Sequence, residues 1–239
     1  VRLFGADILP LAAEHIVLAL VPVLLGLVVS LPLGWWAWRS RGARRVLLPL
    51  TGVLYTIPSL ALFVVMPLIL GTRILDPVNV VVALTVYAVA LLVRSVVDGL
   101  DEVPSEVMTA GVAMGYRPLG LLFGVQLPLA VPVLVAGVRV AAVSSFSLVA
   151  VGAIIGQGAL GTLFTQGFER FYTAQIVFGL VSILVLALLI DALLMMLGRL
   201  LAPWAAARAP QKAGDAAQRS STREQGEAAQ RSSTRESAV

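Results

Sequence analysis

The chain has 239 residues, of which 59% are hydrophobic and 13% charged, and carries a formal net charge of +4. Soluble domains run nearer half apolar and a quarter charged, so this composition excludes an ordinary soluble fold and suits lipid as the solvent. No cysteine is present and histidine occurs once, as His15, which removes disulfides, thiolate sites and metal centres built from several imidazoles.

Asp7 and Glu14 precede the first apolar run. That run is too long for a signal-peptide core and lacks a small-x-small cleavage site, so residues 1–15 are expected as an extracytoplasmic segment. His15 is expected at the interface without a special role. Crossing a hydrocarbon core of about 30 Å takes about 20 largely apolar residues. Stretches 16–38, 46–70, 79–97, 131–154 and 175–200 meet that requirement, which predicts an all-α polytopic protein with five spans. Arg39, Arg41, Arg44 and Arg45 follow the first span, and the tail carries Arg208, Lys212, Arg219, Arg223, Arg231 and Arg235. The outer loops offer only Arg73 and Arg170. Excess positive charge marks the cytoplasmic side, so the N-terminus is expected outside and the C-terminus inside.

Within 46–70, Pro49, Pro58 and Pro67 recur every nine residues. Interior prolines remove backbone hydrogen bonds and kink helices, and in lipid the freed groups need neighbours or water. Thr56-Ile57-Pro58-Ser59 therefore either lines a pathway, with Pro58 and Ser59 at its wall, or marks a kinked helix that touches no substrate. One long span and two half-helices both fit the length.

Residues 98–128 form the informative cytoplasmic loop. Asp98, Asp101, Glu102 and Glu106 open it, and Pro104-Ser105 suits the start of a helix with an acidic first turn. Gly115-Tyr116-Arg117-Pro118 is expected to break that helix, with a second apolar helix leading to Leu127-Pro128. Such a helical elbow suits docking into a groove on a cytoplasmic partner.

Two ionisable residues fall deep in apolar stretches. Arg139 lies about 12 Å into the fourth span and Asp191 as deep in the fifth, at about 1.5 Å per residue. Charges at such depth usually face the bundle interior or one another, so Arg139 and Asp191 are expected to pair across helices. Gly152, Gly156, Gly158 and Gly161 mark the outer loop after the fourth span as either a flexible connection or an outer gate. The tail, 201–239, repeats its 215–224 segment as 227–236. Polar and charge-mixed, it is expected to be disordered.

No catalytic constellation emerges. The only lysine, Lys212, precedes Ala213, so there is no phosphate-binding Gly-x-x-x-x-Gly-Lys-Ser/Thr loop, and the Gly-x-Ser-x-Gly elbow is missing.

The loop resembles the coupling loop of binding-protein-dependent ABC importer permeases, whose pattern is Glu-Ala-Ala, three residues, Gly, nine residues, Ile-x-Leu-Pro. That spacing falls here on Thr109-Ala110-Gly111, Gly115, Val125, Leu127 and Pro128. Thr109 replaces the family's glutamate and Gly111 its second alanine, with Glu106 one turn earlier as a candidate substitute carboxylate. Thr56-Ile57-Pro58-Ser59-Leu60-Ala61-Leu62, Ala136-Gly137-Val138-Arg139 and Ile155-Gly156-Gln157-Gly158-Ala159-Leu160-Gly161 resemble permeases of the glycine betaine/choline/proline class (ProW or OpuC type). So do Leu127-Pro128-Leu129-Ala130-Val131-Pro132 and Leu189-Ile190-Asp191. The resemblance covers roughly residues 15–200 and implies a MetI-like permease architecture that imports a compatible solute: glycine betaine, choline, carnitine or proline. It implies partners as well: a cytoplasmic ABC ATPase dimer, a second permease chain (a copy or a paralogue), and an extracytoplasmic solute-binding protein. ATP and Mg would be bound by the ATPase, with no cofactor in this chain and no nucleic acid. A secondary transporter or channel would also account for spans and proline breaks. It gives no reason for the spaced Gly115 and Leu127-Pro128, and the chain lacks the internal repeat many secondary transporters carry.

Overall fold

A computed structural model of the chain describes residues 2–3 and 6–204. Of the two compact units into which the chain divides, Val1–Gly198 holds the helical bundle. In the second unit, Arg199–Val239, only 199–204 are described, so the repeated tail segments lie outside the described residues.

After a two-residue antiparallel pairing of β1 (Arg2–Leu3) with β2 (Ala6–Asp7), the described chain is helical. The long helices are α1 (Ile8–Arg39), α4 (Pro77–Asp101), α7 (Leu127–Gly152) and α9 (Thr173–Leu201). Between them lie α2 (Arg41–Thr56), α3 (Ser59–Leu70), α5 (Ser105–Ala113), α6 (Pro118–Leu121) with a π-helical segment at Leu122–Gln126, and α8 (Thr162–Glu169). Three expected boundaries need correction. Residues 8–15 belong to α1, because Pro10 stands in the first turn, where a helix has no N–H to lose. Asp98 and Asp101 end α4 instead of opening a loop. The elbow's second helix, expected to lead to Leu127-Pro128 ahead of a span at 131–154, is continuous with α7. Pro128 cannot donate to the preceding turn, and the π segment absorbs the misfit: the Leu127 N–H reaches the Leu122 carbonyl, five residues back.

Lipid tails are as apolar as leucine, so helices associate here by close packing and hydrogen bonds and not by a hydrophobic drive. On α1 the buried stripe includes Gly26, Ser30 and Gly34, four residues apart. A Cβ on Gly26 would lie 2.5 Å from the Ala88 Cβ, and one on Gly34 would lie 2.5 Å from the Val96 Cβ. Both contacts keep the same register offset, so α1 and α4 run parallel. α7 runs against both. Its Ser145 hydroxyl donates to the Ala19 carbonyl at 2.8 Å, and its Gly137 faces Ser95 while Ala130 faces Gly99. α9 opposes α7 in turn, through Arg139–Asp191 and through Gly198 against Val135. α4 sits at the centre, with buried residues on all sides, whereas only Gln175, Gly179 and Ile183 of α9 are buried.

Parallel α1 and α4 dictate what lies between them: residues 40–76 must return the chain across the membrane once. That segment is α2 and α3, bent by 102° at their junction, so the bent pair is one crossing in two pieces. Of the three prolines only Pro58 breaks the helix. The residue before a proline is pushed out of helical geometry, and Ile57 stands at φ −63°, ψ 129°. The five crossings place 39–45, 98–128 and the end of α9 on one side, and 71–76 with 153–172 on the other.

Gly34→Leu is expected to force α1 and α4 apart and to cost about 1–3 kcal/mol, the usual range for overpacking. A fall in the thermal unfolding midpoint of the detergent-solubilised protein is the readout, with an exposed-face control, Val28→Leu, leaving it in place.

Candidate functional site

The elbow begins with α5. Glu106, Thr109 and Ala110 are exposed on it, and the Thr109 hydroxyl turns back to the Ser105 carbonyl at 2.9 Å. Gly111 is the buried member, because a Cβ there would strike the Leu121 side chain. Gly115 ends α5 at φ +84°, the left-handed region that favours glycine. Its N–H bonds the Val112 carbonyl at 2.9 Å and the Tyr116 N–H bonds that of Gly111 at 3.2 Å, a Schellman closure. The Tyr116 ring then lies over Gly124, whose added Cβ would sit 3.3 Å from it. Gln126, buried in the π segment, points its amide to the Met108 sulfur at 3.2 Å. α5 is thus fastened at two places to the start of α7, where Leu127 packs beside Val96 and Leu100 and Pro128 sits in the first turn. Outside, Val112, Met114, Leu119 and Phe123 are exposed.

An ion pair that sequence reasoning missed closes the same side. Arg44 at the start of α2 forks onto Asp101 at the end of α4, with nitrogen–oxygen distances of 2.7 and 3.3 Å. Both side chains are 41% exposed, a setting in which such pairs contribute at most about 1 kcal/mol. Arg94 and Asp98, one turn apart on α4, stand 3.9 Å apart.

Deeper in the bundle, Arg139 of α7 meets Asp191 of α9 side-on. Nε lies 2.7 Å from one carboxylate oxygen and Nη2 lies 2.6 Å from the other. Counted from the elbow-side helix ends, both residues lie about 15–18 Å deep, at about 1.5 Å per residue. Among the described residues α9 buries only Gln175, Gly179 and Ile183, and this two-pronged bond fastens it to α7.

The break at Ile57-Pro58 opens a cavity of about 480 Å³ lined by Tyr55, Ile57, Ser59, Tyr87, Ser144 and Ser147, with Val143 and Leu148. The Ile57 carbonyl, freed by the break, accepts the Tyr87 hydroxyl. Tyr55 stands edge-on to Tyr87 with ring centroids 5.9 Å apart. Ser59 lines this space, whereas Pro58, Arg139 and Asp191 do not. Tyr55 stands three residues before Pro58, but Tyr87 and the α7 serines lie far from it in sequence, and only the proline break pointed towards them.

His15 is buried, not interfacial: its Nε2 lies 3.1 Å from the Phe146 carbonyl and its ring rests on Phe146. The glycine segment after α7 is closely packed against its neighbours. Gly152, Gly158 and Gly161 allow backbone contacts that a Cβ would block, and Ala159 and Leu160 are buried. Among the described residues no group of three or more His, Cys, Asp or Glu could hold a metal ion.

Five crossings, a central helix and a helical elbow joined to the base of α7 define a polytopic helical membrane protein. The chain belongs to the family of binding-protein-dependent transport system inner membrane components, which it matches over residues 23–206. It is 32% identical over 188 residues to the glycine betaine/proline betaine transport system permease protein ProW of Escherichia coli (strain K12), a match covering 79% of this chain and 52% of ProW. It therefore spans about half the length of that relative. The choline transport system permease protein OpuBB of Bacillus subtilis (strain 168) is 30% identical over 199 residues, covering 83% of this chain and 90% of OpuBB. Among solved structures, a chain of the MetNI methionine ABC transporter in an inward-facing conformation superposes with a TM-score of 0.71. That match has 25% identity and covers 81% of this chain and 95% of the other.

Exchanging one member of the deep pair leaves two like charges facing each other away from bulk water. Arg139→Asp and Asp191→Arg are each expected to lower the yield of folded protein by about tenfold, because an unmatched charge inside a membrane is unfavourable. The double exchange is expected to recover most of it, read by size-exclusion profile and unfolding midpoint.

Proposed function

We propose that this chain is the membrane-spanning permease subunit of an ATP-binding-cassette importer that moves a small compatible solute (glycine betaine, choline, carnitine or proline) inward. A separate ATPase dimer hydrolyses the ATP, a second permease chain completes the pathway, and a solute-binding protein delivers from outside. The observation that carries this reading is the elbow. α5 presents exposed Val112 and Met114 on the side of the bundle that also holds Arg39, Arg41, Arg44 and Arg45. Positive charge marks that side as cytoplasmic, and apolar groups standing clear of the spans there need a protein partner. The solute class is supported by the names of the relatives, glycine betaine/proline betaine for ProW and choline for OpuBB.

The mechanism follows from the fastenings. ATPase closure would push on α5. Gly111 on Leu121 and Gln126 on Met108 would carry the push into the base of α7, and α7 would carry α9 with it through Arg139–Asp191. This chain's part is transmission and a path, without bond chemistry of its own. A channel or secondary transporter has no use for an elbow built in this way.

Two outcomes test the proposal. Cells expressing the whole transporter should accumulate labelled glycine betaine, choline or proline, and inactivating the ATPase should abolish that uptake; uptake that persists without ATP hydrolysis would rule the reading out. Met114→Glu places a charge on the exposed elbow. It is expected to weaken co-purification of the ATPase by about thirtyfold, the scale of an interface hot spot, while the unfolding midpoint of the permease alone stays put.

A further inference from the structure

We infer that the cavity at the α2–α3 break is an intramembrane transit site for the cationic head of a small quaternary ammonium solute. The inference rests on the import reading above and adds where, in this chain, the solute is held. Its first support is the state of the hydroxyls. Serines in membrane helices often bond a carbonyl, and Ser95, Ser145 and Ser182 do so here, to Leu91, Ala19 and Phe178, whereas the buried Ser30 of α1 has no partner. Among the described residues, Ser59, Ser144 and Ser147 make no hydrogen bond, and neither does the Tyr55 hydroxyl; all four side chains line the same space. Unpaired hydroxyls are costly in lipid, so a cluster of four argues for a polar occupant.

The second support is the chemistry of the wall. It carries two tyrosine rings and no ionisable acid or base of the Asp, Glu, Lys, Arg or His type. Aromatic faces attract a cation whose charge is spread over methyl groups, and they do so without a carboxylate. The hydroxyls of Ser144, Ser147 and Tyr55 can donate to a carboxylate or bond a hydroxyl at the far end of the same solute. A volume of about 480 Å³ lies within the usual range for small-molecule sites, about 300–1,000 Å³. The lack of a fixed counter-charge suits transit, because a conducting site must bind weakly enough to release.

Geometry also ties the site to the moving parts. Tyr87 of the central helix α4 holds the broken end of α2 through the Ile57 carbonyl, and Ser144 and Ser147 ride on α7, which begins at the elbow. A shift of α7 against α4 would therefore change the distance between the hydroxyls and the rings. A second cavity, about 270 Å³ between Trp35, Leu122 and Phe123, has an almost wholly apolar wall and offers no such groups.

The test uses the complete transporter in lipid vesicles with saturating binding protein and labelled glycine betaine and choline. Tyr55→Leu removes a half-exposed ring face, Tyr55→Phe keeps it, and Ser147→Leu replaces a hydroxyl; co-purification of all subunits is measured for each. Tyr55→Leu is expected to lower the maximal uptake rate about tenfold, the effect of losing one desolvated cation–π contact, with Tyr55→Phe retaining most of it. Ser147→Leu should lower it as well. Wild-type rates in both leucine variants, or rates that fall only as assembly falls, would overturn the site and mark this face as a subunit seam. If the wild-type transporter itself carries neither solute, the import reading for quaternary ammonium solutes fails, and the cation chemistry fails with it.

Discussion

The close approach of α1 to α4 at Gly26 and Gly34 is the contact on which the rest of the architecture depends. Two helices separated by 37 residues are held parallel because no side chain stands between them. A parallel pair forces the intervening chain to cross the membrane, and that crossing is the bent α2–α3. The bend creates the cavity, and the crossing puts Arg44 beside Asp101. Were α1 and α4 antiparallel, the elbow would emerge on the opposite side from the arginines.

The second organising constraint is the need to satisfy polar groups where no water is available. His15 and Ser145 bond carbonyls across the α1–α7 interface. Tyr87 takes the carbonyl that Pro58 leaves free, and the Asn79 amide donates to the Arg73 carbonyl at 2.8 Å to anchor the α3–α4 turn. Arg139 and Asp191 satisfy each other. Each of these bonds joins separate elements, so in this bundle the polar residues do much of the joining that hydrophobic burial does in a soluble core.

The class of fold was legible because hydrophobic run length is a one-dimensional signal: five apolar stretches and a biased set of arginines need no tertiary knowledge. The family likewise showed in Gly115 and Leu127-Pro128, because a left-handed helix stop and a helix-start proline leave residue-specific marks. Equal depth and opposite charge singled out Arg139 and Asp191, and the structure bonds them. What stayed hidden depends on which faces meet. His15 looks interfacial until Phe146, 131 residues away, is folded over it. Leu127-Pro128 reads as the point a short helix leads to, and the π turn at Leu122–Gln126 that joins it to α7 leaves no mark in the sequence. Tyr55, Tyr87, Ser144 and Ser147 come from three helices and carry no shared pattern, so no reading of one segment could assemble them.

The bend at Pro58 has a consequence for how the second crossing is held. α3 has 12 residues, a rise of about 18 Å, well short of a hydrocarbon core of about 30 Å. The part of α2 beyond its arginines is shorter still. Neither half spans the hydrocarbon core alone, and Phe63 and Met66 of α3 pack into the core around Leu84 and Tyr87. The second crossing is therefore the one whose position is set from outside itself, by the helix that follows it across the short turn at 71–76.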